Sequence, residues 1–221
     1  MHVFVETNWV VDVVAPAHHR KASAVRLQER AAAGEITLHL PSVCLTEARR
    51  VIPIRFKDRA EADAVRHFLT WAGPARGLTP ADAAIVRRVL DQMQAGIAAD
   101  LQNVVQRLDE LARSPGVVVF PLSERMLTMS RELAVGGPIL NPFDQAILAA
   151  VLVRAEELRE DGVDQTYFCE MDSDLQPWDR RGAKPALAPL YDARHIWVFG
   201  DWEMSEGPWD GWPAEGPPDE T

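Results

Sequence analysis

Residues 141–174 read NPFDQAILAAVLVRAEELREDGVDQTYFCEMDSD, and this stretch decides the fold. Asn141 followed by Pro142 is a helix start. An Asn side chain accepts from the first free backbone N–H groups, and proline at the first helical position gives up an N–H that would have no partner. Residues 145–160 are strong helix formers with apolar residues throughout, and Gly162 ends them. Gln165–Cys169 is a β-forming run that opens onto Glu170-Met171-Asp172-Ser173-Asp174. The stretch is therefore one helix leading into one short apolar strand that ends in acids.

The same alternation runs outward in both directions. Val3-Phe4-Val5, extended by Met1 and His2, is an apolar strand that ends at the polar Glu6-Thr7-Asn8. Residues 18–33 suit a helix closed by Gly34, and Ile36–Leu40 is a second strand. Ser42 is the expected N-cap of a helix to about Ile52, with Pro53 ending it. Residues 58–72 suit another helix. Thr79-Pro80 opens a series, from Ile85 to Leu111, with apolar residues every three or four positions. That spacing predicts one long amphipathic helix, or two jointed near Gly96. Val117–Phe120 is a third strand, 123–134 a helix and His195–Phe199 a last strand, while the Pro- and Arg-rich 176–194 reads as irregular. Strands alternating with helices predict an α/β fold: a three-layer αβα sandwich around a central, mostly parallel sheet. The expected organisation is one domain over 1–200 with a helical insertion at about 53–115, then an acidic tail at 201–221.

Composition narrows the function. A chain of 221 residues with 47% hydrophobic and 25% charged residues can build one sizeable core, which excludes disorder throughout. No apolar run reaches the roughly 20 residues needed to span a bilayer, so no membrane is expected. The N-terminus lacks the basic region and cleavage site of a secretory signal, and a cytoplasmic location is expected. Two cysteines, Cys44 and Cys169, exclude a four-cysteine zinc site or a disulfide scaffold. No nucleotide-binding glycine loop and no G-x-S-x-G elbow occurs. The net charge is −10, but residues 201–221 hold seven acids and no Lys or Arg, so the rest of the chain stands at only −3. A polyanionic partner is therefore compatible with the charge, since binding depends on where cations sit.

In open α/β sheets, ligands collect outside the carboxyl ends of the strands. Glu6 follows the first strand, Glu47 lies in the helix after the second, Asp144 sits in the first turn of its helix, and Asp172 and Asp174 follow the strand ending at Cys169. Bare carboxylates in such a cluster repel, and a hard divalent cation relieves the conflict through oxygen ligands. Mg²⁺ or Mn²⁺ in that setting assists phosphodiester cleavage. Each acid also has a plainer reading. Asp144 can complete a cap with Asn141, Asp172 and Asp174 can be turn residues, and Glu6 can simply end a strand. Thr7, Asn8 and Ser173 can orient the acids or cap neighbouring turns.

These segments resemble the PIN domain family of nucleases. VFVETN looks like the family's strand followed by Asp-Thr-Asn, with Glu6 in the place of the Asp; the extra methylene reaches on the order of 1.5 Å further. LPSVCLTEARRVI looks like its second element, LNPFDQAILAAVLVRA like its helix opening with a ligand Asp, and YFCEMDSDL like its strand-plus-acid segment, with Glu170 where Thr or Ser is common. The four occur in the family's order. The resemblance implies a metal-dependent ribonuclease using Mg²⁺ or Mn²⁺, with Glu6, Glu47, Asp144 and Asp172 as catalytic and ligand acids and Asp174 as a fifth. It also implies RNA as substrate and, through the VapC-type toxins among small relatives, an antitoxin protein as partner. The alternative is a catalytically weak PIN-like module that binds RNA or a protein; a third reading is a small-molecule-binding α/β domain. Arg49 and Arg50, together with Arg180 and Arg181, are the candidate nucleic-acid contacts. The helical insertion can pack on the domain or build a homodimer face.

Overall fold

The computed structural model describes residues 1–56, 60–71, 77, 79–179 and 182–205. Its centre is a five-stranded sheet in which every pair is parallel: β1 (His2–Phe4), β2 (Thr37–Pro41), β3 (Val117–Phe120), β4 (Thr166–Cys169) and β7 (Ile196–Phe199). The spatial order is β3-β2-β1-β4-β7. Val3 stands beside Leu38 on one side and Tyr167 on the other, and Phe4 beside Phe168. Both faces of the inner strands are covered, so Val3, Phe4, Leu38, Leu40 and Phe168 are fully buried, as parallel sheets require.

Helices α1 (Thr7–Val14) and α2 (Ala22–Ala32) connect β1 to β2. From β2 the chain runs through α3 (Ser42–Arg55), α4 (Ala60–Trp71), α5 (Pro80–Gln102) and α6 (Val104–Ala112) to β3. It returns through α7 (Glu124–Gly136) and α8 (Pro142–Glu160) to β4. A small antiparallel ribbon of β5 (Trp178–Asp179) and β6 (Gly182–Ala183), then α9 (Ala188–Asp192), precedes β7. The connections that step outward from β1 to β3 and the one that steps back to β4 travel in opposite directions. Right-handed crossovers therefore put their helices on opposite faces, consistent with a three-layer sandwich.

Several local expectations are corrected. The polar break after β1 already belongs to a helix: Thr7–Val14 form α1, and all but Asn8 are buried. The segment 18–33 divides into a short 3₁₀ turn, Ala17–His19, and α2. Ser42 is not the cap of α3; Pro41 occupies that place, and no side chain caps the helix there. Pro53 does not end α3, which carries it inside and runs to Arg55. The break in the long amphipathic series falls at Asn103 rather than Gly96, because Asn103 leaves helical geometry and caps α5. Thr79 does cap α5, in a reciprocal pair with Asp82. The segment read as irregular contains the β5–β6 ribbon and α9. Among the described residues, no helix is long and apolar enough to cross a membrane.

Gly116 is the tight joint of this architecture. Its φ is +75°, and a Cβ there would lie 2.2 Å from the carbonyl oxygen of Ala31 in α2. Gly34, at φ +79°, would meet nothing within 4 Å. Gly116→Ala is expected to cost about 2–4 kcal/mol, from backbone strain plus overlap, and Gly34→Ala only about 1–2 kcal/mol. Urea unfolding of the two variants checks the difference; equal losses would place Gly116 in a looser contact.

Candidate active site

The strand order makes β1 and β4 neighbours whose onward connections leave in opposite directions. A crevice forms at such a switch point outside the carboxyl ends of the strands. Two acids stand directly there. Glu6 follows β1, and Glu170 follows β4 with its backbone N–H donating to Phe199 O at 2.8 Å. Both are buried, Glu6 at 3% exposure and Glu170 at 0%.

Each of these acids spends one oxygen on a local turn. Glu6 caps α1: its Oε2 accepts from Asn8 N at 2.6 Å, while Trp9 N donates to the Glu6 backbone carbonyl at 3.1 Å. Glu170 Oε1 accepts from Asp172 N. The remaining oxygens, Glu6 Oε1 and Glu170 Oε2, are buried without a hydrogen-bond partner among the described residues. Burying a carboxylate without satisfying it is costly, and the group responds by holding its proton. Burial pushes the Glu6 carboxyl up to about 8, against the pull of the Asn8 hydrogen bonds and with further push from Asp172 and Glu47. Glu170 is driven upward by burial first, then by Glu6, Asp172 and Asp144.

The other four acids come from three separate segments. Asp144 stands in the first turn of α8, which forms an antiparallel pair with α7; Arg125 near the start of α7 bonds Glu156 near the end of α8. The capping reading of Asp144 holds: Asn141 Oδ1 accepts from Phe143 N and Asp144 N at 2.9 and 3.1 Å, and Asn141 Nδ2 donates to Asp144 Oδ2. Asp144 belongs to the cluster as well. Burial raises its carboxyl to about 6, helped by the charges of Asp172, Glu47 and Asp174. Glu47, in α3, accepts from Thr7 Oγ1 at 2.7 Å, which ties α3 to the start of α1. Asp172 Oδ1 accepts from Asp174 N at 2.9 Å, so the turn reading of this loop also holds. Thus Glu6, Glu47, Asp144, Asp172 and Asp174 act on one another electrostatically, although they come from four separate parts of the chain.

Thr7 donates to Glu47 rather than to Glu6, and Asn8 reaches Glu6 through its backbone N–H, the contact of a helix cap. Ser173 is exposed, and its carbonyl accepts from Lys184 Nζ. Arg49 and Arg50 are exposed on α3. Arg50 Nη2 lies 3.9 Å from Glu47 Oε1, and its Cζ lies 5.5 Å from the centre of the Phe143 ring. Arg180 and Arg181 lie outside the described residues. Arg55 faces a different place, a cavity of about 600 Å³ that it lines with His18, His19, Phe56, Leu90 and Met93. Among the described residues, no three His, Cys, Asp or Glu side chains already stand in the arrangement that holds a metal ion.

The chain matches no family model, no curated protein and no solved structure. The chemistry of the site therefore rests on its own residues. One of them escaped the sequence: Glu170 is the most deeply buried acid of the cluster. The available signal was a lone charge directly after the apolar strand Thr166–Cys169, the same signal that marks Glu6 after β1.

Raised carboxyl values fix a sign for stability. Between about 4.5 and 8 the folded protein keeps the Glu6 proton that the unfolded chain has lost, so stability falls as pH rises through that window. Asp144 adds the same slope between its ordinary value and about 6. In chelator-treated protein, thermal midpoints are expected to drop steadily from pH 4.5 to 8. Glu6→Gln keeps the capping oxygen and removes the titration, so it should raise the midpoint at pH 8 and leave it nearly unchanged at pH 4.5. A flat wild-type profile would show these acids to be ionised and compensated.

Proposed function

We propose that the protein is a metal-dependent phosphodiesterase that hydrolyses RNA, a PIN-like ribonuclease in which Glu6, Glu47, Asp144 and Asp172 form the acidic site. The supporting observation is the pair of buried carboxylate oxygens, Glu6 Oε1 and Glu170 Oε2, without a hydrogen-bond partner among the described residues, at the switch point of a parallel sheet with four further acids in electrostatic reach. An all-oxygen donor set of this kind suits a hard cation such as Mg²⁺ or Mn²⁺ and suits softer metals poorly. The N-termini of α1 and α8, at Glu6 and Asn141, also favour negative charge where the acids gather.

A bound Mg²⁺ or Mn²⁺ would supply positive charge against the carboxylates and a Lewis acid for a phosphate oxygen. Glu6, Asp144 and Asp172 would hold it, with Glu170 and Asp174 beside them. Asp172 is half-buried and Asp174 exposed, so both have room to turn inward. Thr7 fixes the Glu47 carboxylate, which positions the attacking water and takes its proton. The water oxygen bonds to phosphorus, the bond to the leaving sugar oxygen breaks, and that oxygen takes up a proton. Glu170 accepts from the Asp172 backbone N–H and so pins the turn that carries Asp172.

Asp144→Asn preserves the hydrogen bond with Asn141 and removes a charge. It is expected to lower cleavage of single-stranded RNA by about 100-fold or more, with an unchanged circular dichroism spectrum. Mn²⁺ at about a hundredfold excess over its Kd should raise the wild-type thermal midpoint by on the order of 5 °C, and the variant should lose most of that rise. Cleavage that persists in the Asn variant, or in chelator, would overturn the assignment.

A further inference from the structure

Arg50 and Phe143 stand together at the rim of the acid cluster, brought there by different elements. Arg50 is on α3, one turn beyond Glu47. Phe143 is on the first turn of α8, next to Asp144. The guanidinium carbon lies 5.5 Å from the ring centre, and Nη2 lies 3.9 Å from Glu47 Oε1. The Arg50 side chain is 62% exposed while Glu47 is only 15% exposed, so the cation lies on the solvent side of the acid.

Neither contact explains itself as stability. An exposed ion pair at this separation contributes little, and an exposed cation–π contact is worth on the order of 0.5–1 kcal/mol. Their joint effect is geometric. A guanidinium lying over a ring has its plane set, and its N–H edge stays available to a partner lying in that plane. At 3.9 Å Glu47 attracts this edge electrostatically but is too distant for a good hydrogen bond, so the donors are not consumed. A tetrahedral phosphate takes two parallel N–H donors from such an edge.

We propose that Arg50 is the residue that grips a substrate phosphate beside the acid cluster, and that Phe143 is the positioning residue that sets the plane of its guanidinium. The proposal rests on the ribonuclease reading for the identity of the substrate, but its geometry is independent of any bound ion. It gives the site a cation on the face where a polyanion must approach six acids, counting Glu170. Phe143 also couples grip to chemistry, because it is joined through one peptide bond to Asp144. A phosphate held by Arg50 is thereby registered against the helix turn that carries a site acid.

The test is binding of a short fluorescein-labelled single-stranded RNA in EDTA, read by anisotropy over a series of KCl concentrations. Arg50→Gln should weaken binding by about tenfold and reduce the slope of log K against log salt by about 0.7, the share of one phosphate contact on a single strand. Phe143→Leu should weaken binding by several-fold, and Phe143→Tyr should restore it, which a merely structural role for the ring would not require. Arg113→Gln, at the far edge of the sheet just before β3, controls for net charge and should stay within about twofold of the wild type. If Arg50→Gln matches Arg113→Gln in affinity and slope, the proposal is overturned. Metal-dependent cleavage by the wild type with no Arg50 effect overturns this inference alone. An Arg50-dependent slope in a protein that does not cleave RNA upholds the grip and overturns the ribonuclease reading.

Discussion

Parallel pairing of β1 with both β2 and β4 is the constraint on which the rest depends. It places all five carboxyl strand ends on one edge, and it places the reversal of winding between β1 and β4. Glu6 and Glu170 are neighbours only because Phe4 is in register with Phe168. They are 164 positions apart in the chain by their residue numbers. A slip of that register by one residue would exchange the faces of β4 and turn its half-exposed Tyr167 to where Phe168 is buried.

The acids at this edge are arranged against the usual direction of stability. A core prefers apolar groups, yet two carboxylates are fully enclosed with one oxygen each left unpaired. The fold offsets part of this cost with local devices. Glu6 serves as the cap of α1, Asp144 shares the cap of α8 with Asn141, and Asp172 and Glu170 each accept a backbone N–H of their own loop. Capping and the acid cluster therefore use the same side chains. The remaining unpaired oxygens are what capping does not explain, and they are the part of the site a cation or a shared proton would satisfy.

A buried acid away from this edge has a different character. Asp12, 4% exposed at the end of α1, accepts from Lys21 Nζ at 2.8 Å and from Trp202 Nε1 at 2.9 Å. That single acid ties α1, the approach to α2 and the segment after β7 together. Trp202 is itself buried, and its indole N–H is spent on this acid. The contrast separates a structural carboxylate, whose partners are supplied within the fold, from the carboxylates at the switch point.

Much of the fold was legible because local chemistry and tertiary packing agree in it. The five strands are short apolar runs bounded by Gly, Pro or acids, and α8 announces itself through Asn141, Pro142 and Gly162. The alternation of these elements determined an α/β fold with a parallel sheet, and the acids after the strands pointed to one edge. What the sequence could not decide is what only packing decides. Thr7–Val14 is rich in β-branched residues that favour strands, and its only helical sign is Asn8 and Asp12 four apart on one face; packing against α2, α3 and α6 makes it a helix. The long amphipathic series breaks at Asn103, where α6 turns to pack on α1, α3 and β3, and no glycine marks the place. Glu170 looked like a substitution after a strand, and the fold enclosed it completely. Residue order thus determined which side chains leave the strands at their carboxyl ends. Tertiary structure decided which of them lose contact with water, because desolvation depends on neighbours that are distant in the chain.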